Sequence, residues 1–199
     1  MSFPRLRFLS LHLLVMAAVF GLCGRSFAKD AHGLKNATVL IIRHAEKPEG
    51  GPNLSAIGDQ RAQAYVNYFQ HFQVGSETLQ IDALIAASDS QESSRPRLTL
   101  EPLGKALGIP VDTRFKVKQV NDLVADLRSR HPHLHGVLIS WRHGEIPELL
   151  TAFGADYHNV LPKGEWPADV FDGVVVLHFD HDGHLESAKY QVEGLKIGG

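Results

Sequence analysis

Cysteine is nearly missing from this chain. Cys23 is the single one in 199 residues, and it ends the N-terminal apolar run. A mature chain without that run has no disulfide, no thiolate nucleophile and no cysteine-ligated zinc. A surplus of positive charge is missing too. Twenty Lys and Arg face 22 Asp and Glu, for a formal net charge of −2, which argues against general nucleic-acid binding. Long apolar runs are confined to residues 8–23. There is no internal repeat, no low-complexity tract and no sign of a second folded domain.

What is present starts with that N-terminal stretch. Arg5 and Arg7 precede an apolar run from Phe8 to Cys23, interrupted by Ser10 and His12, and Ser26-Phe27-Ala28 follows. Small residues at −3 and −1 of a cleavage point complete the three-part layout of a secretory signal peptide. An uncleaved anchor is the alternative, but the run is short for a span of ~20 residues. The expected division is a signal peptide over 1–28 and a single domain over 29–199. Cleavage removes Arg5, Arg7, Arg25 and no acid, leaving 17 basic against 22 acidic side chains, a net charge of −5. The expected location is periplasmic or secreted, with no membrane span after cleavage. Without disulfides the exported domain rests on its core alone. At 44% hydrophobic residues the chain can supply one.

Val39-Leu40-Ile41-Ile42 reads as a buried strand, and Arg43-His44 follows at once, before the Pro48 and Gly50-Gly51-Pro52 loop. Ser55 is a candidate N-cap. Behind it Ile57, Arg61, Ala64, Tyr65, Tyr68, Phe69 and Phe72 fall on one helical stripe, ended by Gly75-Ser76. Residues 81–87 read as a second buried strand, ending in Ser88-Asp89-Ser90. Ser93-Ser94-Arg95-Pro96 opens a helix to about Leu107, with Pro96 in its first turn and Gly108 at its end. A short strand is expected within 110–117 and an amphipathic helix over 119–130. Val137-Leu138-Ile139-Ser140 is a third strand, running into Trp141-Arg142-His143-Gly144-Glu145, and Ile146 starts a short helix. Val174–Leu177 is a fourth. Asp180-His181-Asp182-Gly183 is a hairpin turn returning 184–192 as an edge strand. The alternation predicts a three-layer α/β/α sandwich, its central sheet mainly parallel with an antiparallel edge strand.

Three of these strands end in polar clusters: Arg43-His44, the Ser88 loop leading to Arg95, and His143. If the strands are parallel neighbours, two arginines and two histidines converge at one sheet edge, where open α/β sheets bind ligands. Arginine forks match phosphate oxygens bidentately, and a neutral histidine can attack phosphorus. The 12 histidines invite a metal reading. His131, His133 and His135 flank Pro132, and His178, His181 and His184 surround a turn. Neither group has helical ligand spacing or nearby cysteine, so exposed loop histidines are the expectation and no metal is assigned.

Four motifs in order carry a resemblance to a known family. Arg43-His44-Ala45-Glu46 resembles the Arg-His-Gly-Glu signature of the histidine phosphatase (phosphoglycerate mutase-like) superfamily. Leu54-Ser55-x-x-Gly58-x-x-Arg61-Ala62 resembles its Leu-Ser/Thr-x-x-Gly-x-x-Gln/Arg-Ala segment. Ser94-Arg95-x-x-x-Thr99 resembles its second arginine motif, and His143-Gly144 its late His-Gly. The resemblance spans nearly all of residues 38–180. It implies that His44 is a nucleophile forming phosphohistidine, that Arg43 and Arg95 clamp the phosphate, and that His143 completes the pocket without metal or cofactor. Arg97 competes with Arg95 but lacks the Thr spacing.

Two departures stand out. Ala45 replaces the usual Gly, which suits a backbone at φ < 0. The loop Val111–Lys116 lacks the Glu expected of a mutase. That leaves the proton donor open; Glu145, two residues after His143, is the candidate, with Asp112 behind it. The implied activity is hydrolysis of a small extracytoplasmic phosphate ester: a sugar phosphate, a lipopolysaccharide-core phosphate or a general phosphomonoester. The alternative is a non-catalytic anion-binding or envelope interaction protein on the same fold. Specificity is expected from Lys47, Trp141, Arg142 and the 156–168 loop. Oligomeric state is not readable.

Overall fold

Apolar residues that alternate between two faces need cover on both, and this chain provides it. In the computed structural model, which describes Met1, residues 34–130 and residues 134–198, strand β1 (Thr38–Arg43) is buried along its whole length. Val39 and Ile41 point into one core, Leu40 and Ile42 into the other. The expected signal segment, and His131 and His133, lie outside the described residues.

The order after β1 is α1 (Ala56–Gln70), a small hairpin of β2 (Gln73–Val74) and β3 (Glu77–Thr78), β4 (Ala83–Ala86), α2 (Arg95–Leu107) and β5 (Val111–Asp112). Then come α3 (Val120–Arg130), β6 (Gly136–Trp141), a 3-10 turn (His143–Glu145), α4 (Ile146–Phe153) and α5 (Tyr157–Val160). The last are a second 3-10 turn (Pro162–Gly164), β7 (Gly173–Phe179) and β8 (Leu185–Val192). Six strands form the main sheet in the order β5-β4-β6-β1-β7-β8. α1 and α2 cover one face through Tyr65, Phe69, Leu100 and Leu103. α3 and α4 cover the other through Leu123, Leu127, Leu149 and Phe153. The expected three-layer α/β/α sandwich is what forms.

Strands β5, β4, β6 and β1 are parallel, β7 runs against β1, and β8 runs against β7. The antiparallel hairpin therefore supplies two strands, with β7 the reversed one and β8 at the edge. Gly183, at φ 83°, closes the turn between them.

Helix boundaries follow the sequence signals. Ser55 Oγ accepts the Gly58 N–H at 3.1 Å and caps α1. Gly108 ends α2 in the left-handed region at φ 70°. One stripe residue departs from expectation: Ile57 is 46% exposed, while Gly58 and Ala62 face inward. The reason is steric. A Cβ at Gly58 would collide with the Glu46 carbonyl oxygen, so the first turn of α1 presses its glycine against the loop after β1.

Candidate active site

Strand register alone brings the sequence-predicted groups together. Arg43 lies opposite Trp141 in the β1–β6 ladder, and Ala86 lies opposite Ser140 in β4–β6. The His44 N–H extends the first ladder by donating to the Trp141 carbonyl at 3.0 Å. The residues that leave β1, β6 and β4 therefore emerge at the same edge. They line a cavity of about 360 Å3 whose wall includes Arg43, His44, Ser88, Arg95 and His143.

Arg43 is 1% exposed. Its Nη1 donates to the carbonyls of Ala168 at 2.6 Å and Val170 at 3.1 Å, and its guanidinium lies 3.7 Å from the centre of the Phe171 ring. Nε is buried with no partner among the described groups. Burial lowers its pKa to about 10, against the opposing pull of Glu46 and Asp169, so it stays charged at neutral pH. The segment 168–171 thus holds one side of the fork. Nothing in the local sequence marks that contact, which spans 125 residues.

His44 is 5% exposed. Its Nδ1 lies 2.7 Å from the Ala45 carbonyl oxygen, which can only accept, so Nδ1 carries the proton and Nε2 keeps a lone pair. Burial pushes the pKa down to about 4. The Ala45 bond opposes this, and Arg43, Arg95 and His143 add to it. His143 is also pushed below its ordinary value, by burial first and then by Arg43 and Arg142. Both rings are neutral at neutral pH.

Arg95 opens α2. Its Nη1 donates to the Gly51 carbonyl at 2.8 Å and its Nη2 to the Glu92 carbonyl at 3.2 Å. Arg97 is engaged elsewhere, by Asp89 and Glu101. The Thr four residues after Arg95 has a physical role. Thr99 Oγ1 donates to the Arg95 carbonyl and accepts the Ala45 N–H, each at 2.8 Å, with no exposure of the residue. It ties the turn carrying His44 to the helix carrying Arg95. Ala45 itself is not at positive φ, so its Cβ is unstrained.

A second support lies behind the loop. Arg61 donates to Glu46 through Nε at 3.0 Å and Nη2 at 2.7 Å, and its Nη1 pairs with Glu193, just past β8. In the sequence Arg61 is a stripe and motif residue, and nothing near Glu193 marks it as the partner of Arg61.

Glu145 and Asp112 are not among the cavity's lining residues. Glu145 is 7% exposed, with Oε1 at 3.0 Å from Lys118 Nζ and Oε2 at 3.8 Å from Arg142 Nε. Asp112 is on the edge strand β5, paired with Arg114 at 2.7 Å. Trp141, expected to shape specificity, is fully buried and donates from Nε1 to the Val117 carbonyl. Its indole is packed in the core and tied to the Val117 main chain, so that expectation is corrected. Lys47 and Arg142 do line the cavity, joined by Lys116. The 156–168 loop is not part of that lining; its last residue holds Arg43. Among the described residues no three His, Cys, Asp or Glu side chains group as they would around a metal ion. His178 meets Thr38 Oγ1, and His181 and His184 sit beside Asp182 and Asp180.

No family model matches the sequence, and no curated protein sequence does. Solved structures do. The chain is similar to the protein histidine phosphatase SixA complexed with tungstate, at a TM-score of 0.51 and 17% identity, covering 78% of this chain and 97% of that one. It is similar to phosphoglycerate mutase from Plasmodium falciparum, at a TM-score of 0.51 and 13% identity, covering 82% and 96%. Both are members of the histidine phosphatase superfamily, and what this chain shares with them at such identities is the fold.

Proposed function

We propose that the chain is a phosphomonoester hydrolase that works through a phosphohistidine on His44, without metal, on small phosphate esters outside the cytoplasm. The observation that carries this reading is the state of His44. A buried, neutral imidazole holds its Nδ1 proton on a backbone carbonyl and keeps its Nε2 lone pair, in a cavity walled by two arginines. Nε2 attacks phosphorus, the P–O ester bond breaks, and the leaving oxygen takes a proton. Water then attacks the phosphohistidine, releasing inorganic phosphate and neutral His44. Arg43 and Arg95 hold the phosphoryl oxygens in both steps, each already oriented by main-chain carbonyls on its other side. His143 completes the pocket, its buried Nδ1 left without a partner among the described groups. Glu145 is the proposed proton source; it lies outside the cavity lining with Oε1 3.0 Å from Lys118 Nζ, so donation requires its carboxyl to leave that pair and take up a proton.

The test is trapping. Mature protein mixed with a radiolabelled aryl phosphate and quenched without acid should carry one acid-labile phosphoryl group. His44→Ala should carry none, and wild-type turnover should be unchanged by EDTA. Tight phosphate binding with no label and no turnover would establish the anion-binding alternative instead.

A further inference from the structure

A phosphate monoester leaves part of this cavity's charge unanswered. Beyond Arg43 and Arg95, three more cations line the wall: Lys47, Lys116 and Arg142. All three are exposed. Lys47 and Lys116 have no side-chain partner among the described residues, and Arg142 has only Glu145 at 3.8 Å. That carboxylate is held closer by Lys118, at 3.0 Å.

The wall's acids do not balance them. Asp89 is held bidentate by Arg97, whose Nε lies 3.2 and 3.0 Å from its two oxygens. Arg97 is not in the cavity wall, so that pair is neutral on its own. Glu92 alone is left against five cations. The chain as a whole is net negative, so this concentration is local rather than general basicity. The extra charges also act on the primary site. Arg142 lowers the pKa of Arg95, after burial, and Arg142 and Lys47 both lower that of His143. Like charges crowded around one cavity repel, and a ligand anion relieves the repulsion. A dianionic phosphate monoester held by Arg43 and Arg95 neutralises two of them.

We propose that Lys47, Lys116 and Arg142 form a second anion subsite, and that the substrate class is a small phosphate ester bearing a second anionic group, phosphoryl or carboxylate. This rests on the phosphatase reading of the same site. The volume of about 360 Å3 fits a compact molecule with both groups inside it. The second group need not react. It anchors the ester so that the reacting phosphoryl meets His44 in one orientation.

Calorimetric titration of the His44→Ala protein tests the subsite without turnover. Glucose 1,6-bisphosphate should bind at least tenfold more tightly than glucose 6-phosphate, and phosphoglycolate more tightly than ethyl phosphate. A gain for the bisphosphate alone restricts the second group to phosphoryl; a gain for both admits carboxylate. In the double variant Lys47→Gln, Lys116→Gln the bisphosphate advantage should fall to threefold or less. Equal binding within each matched pair, or an advantage that survives the double variant, overturns the subsite. Failure of wild-type protein to hydrolyse any of the four esters would refute the phosphatase reading and leave the binding result standing.

Discussion

Thr99 offers the sharpest test of how the site is held. Its hydroxyl is the acceptor for the Ala45 N–H, the amide next to His44, at 2.8 Å in a fully buried place. Thr99→Val keeps the shape and removes the acceptor. The amide is then buried without a partner, which costs about 1–3 kcal/mol. The Arg95 carbonyl loses less, since it lies in the first turn of α2 and keeps the helical N–H four residues on. For a domain of this size, ~1 kcal/mol moves Tm by about 2–4 °C, so Thr99→Val should melt several degrees lower. Thr99→Ser keeps both hydrogen bonds and loses one methyl, a cost of about 0.8 kcal/mol. Function should separate the two more clearly. With the His44 turn no longer tied to α2, Thr99→Val should lose at least ~10-fold in kcat at similar KM, whereas Thr99→Ser should stay within about threefold; displacements of this order are enough for such losses. Differential scanning calorimetry and steady-state kinetics on an aryl phosphate read both effects. If the two variants behaved alike in kcat, the hydroxyl would not be what positions His44.

Three other outcomes are expected. His44 has a folded pKa of about 4 against an ordinary 6.5, so between those values the unfolded chain takes up a proton that the folded chain refuses. Its contribution to stability is therefore full above pH 6.5 and is lost on acidification toward pH 4, at up to ~1.4 kcal/mol per pH unit. On acidification from pH 7 to pH 4, urea midpoints should fall more steeply in wild type than in His44→Gln, and equal slopes would contradict the neutral imidazole. Glu145→Gln should slow alkyl phosphate hydrolysis by ~10²–10⁴-fold and spare p-nitrophenyl phosphate, whose phenolate leaves unaided; equal losses on both would remove Glu145 as proton donor. Mass and N-terminal sequence of the exported protein should show cleavage after Ala28, and a full-length chain held in the membrane would refute the signal peptide.

Much of the architecture was legible because it is written at short range. β1 and β6 each carry a continuous apolar run, as strands buried on both faces do, and Ser55, Gly108 and Gly183 mark the start of α1, the end of α2 and the β7–β8 turn by local chemistry. The meeting of Arg43, His44, Arg95 and His143 followed once the strands were taken as parallel neighbours. What stayed hidden depends on distance in sequence or on a choice of face. Trp141 precedes Arg142-His143 as a site residue would, but its indole packs into the core and bonds the Val117 carbonyl, a contact 24 residues away in sequence. Ile57 fitted the helical stripe, yet the contact of Gly58 with Glu46 rotates it outward. The carbonyls that orient Arg43 belong to residues of no distinctive type, so no pattern could point to them. Thr99 was visible as a spacing, and only the hydrogen bond to Ala45 says why the spacing exists.

The hairpin β7–β8 and the segment before it have a consequence for the order in which the protein is made. A ribosome releases β1, with Arg43 and His44, long before Ala168, Val170 and Glu193. Until those arrive, Arg43 lacks the carbonyls that orient it and Arg61 lacks one of its two carboxylates. β1 likewise lacks one of its two neighbours in the sheet. The histidine proposed as nucleophile is thus synthesised well before the groups that surround it. A nascent or stalled chain that stops before Glu193 carries the proposed nucleophile but not the pocket, and would gain the proposed phosphoryl chemistry only once that segment is made and folded.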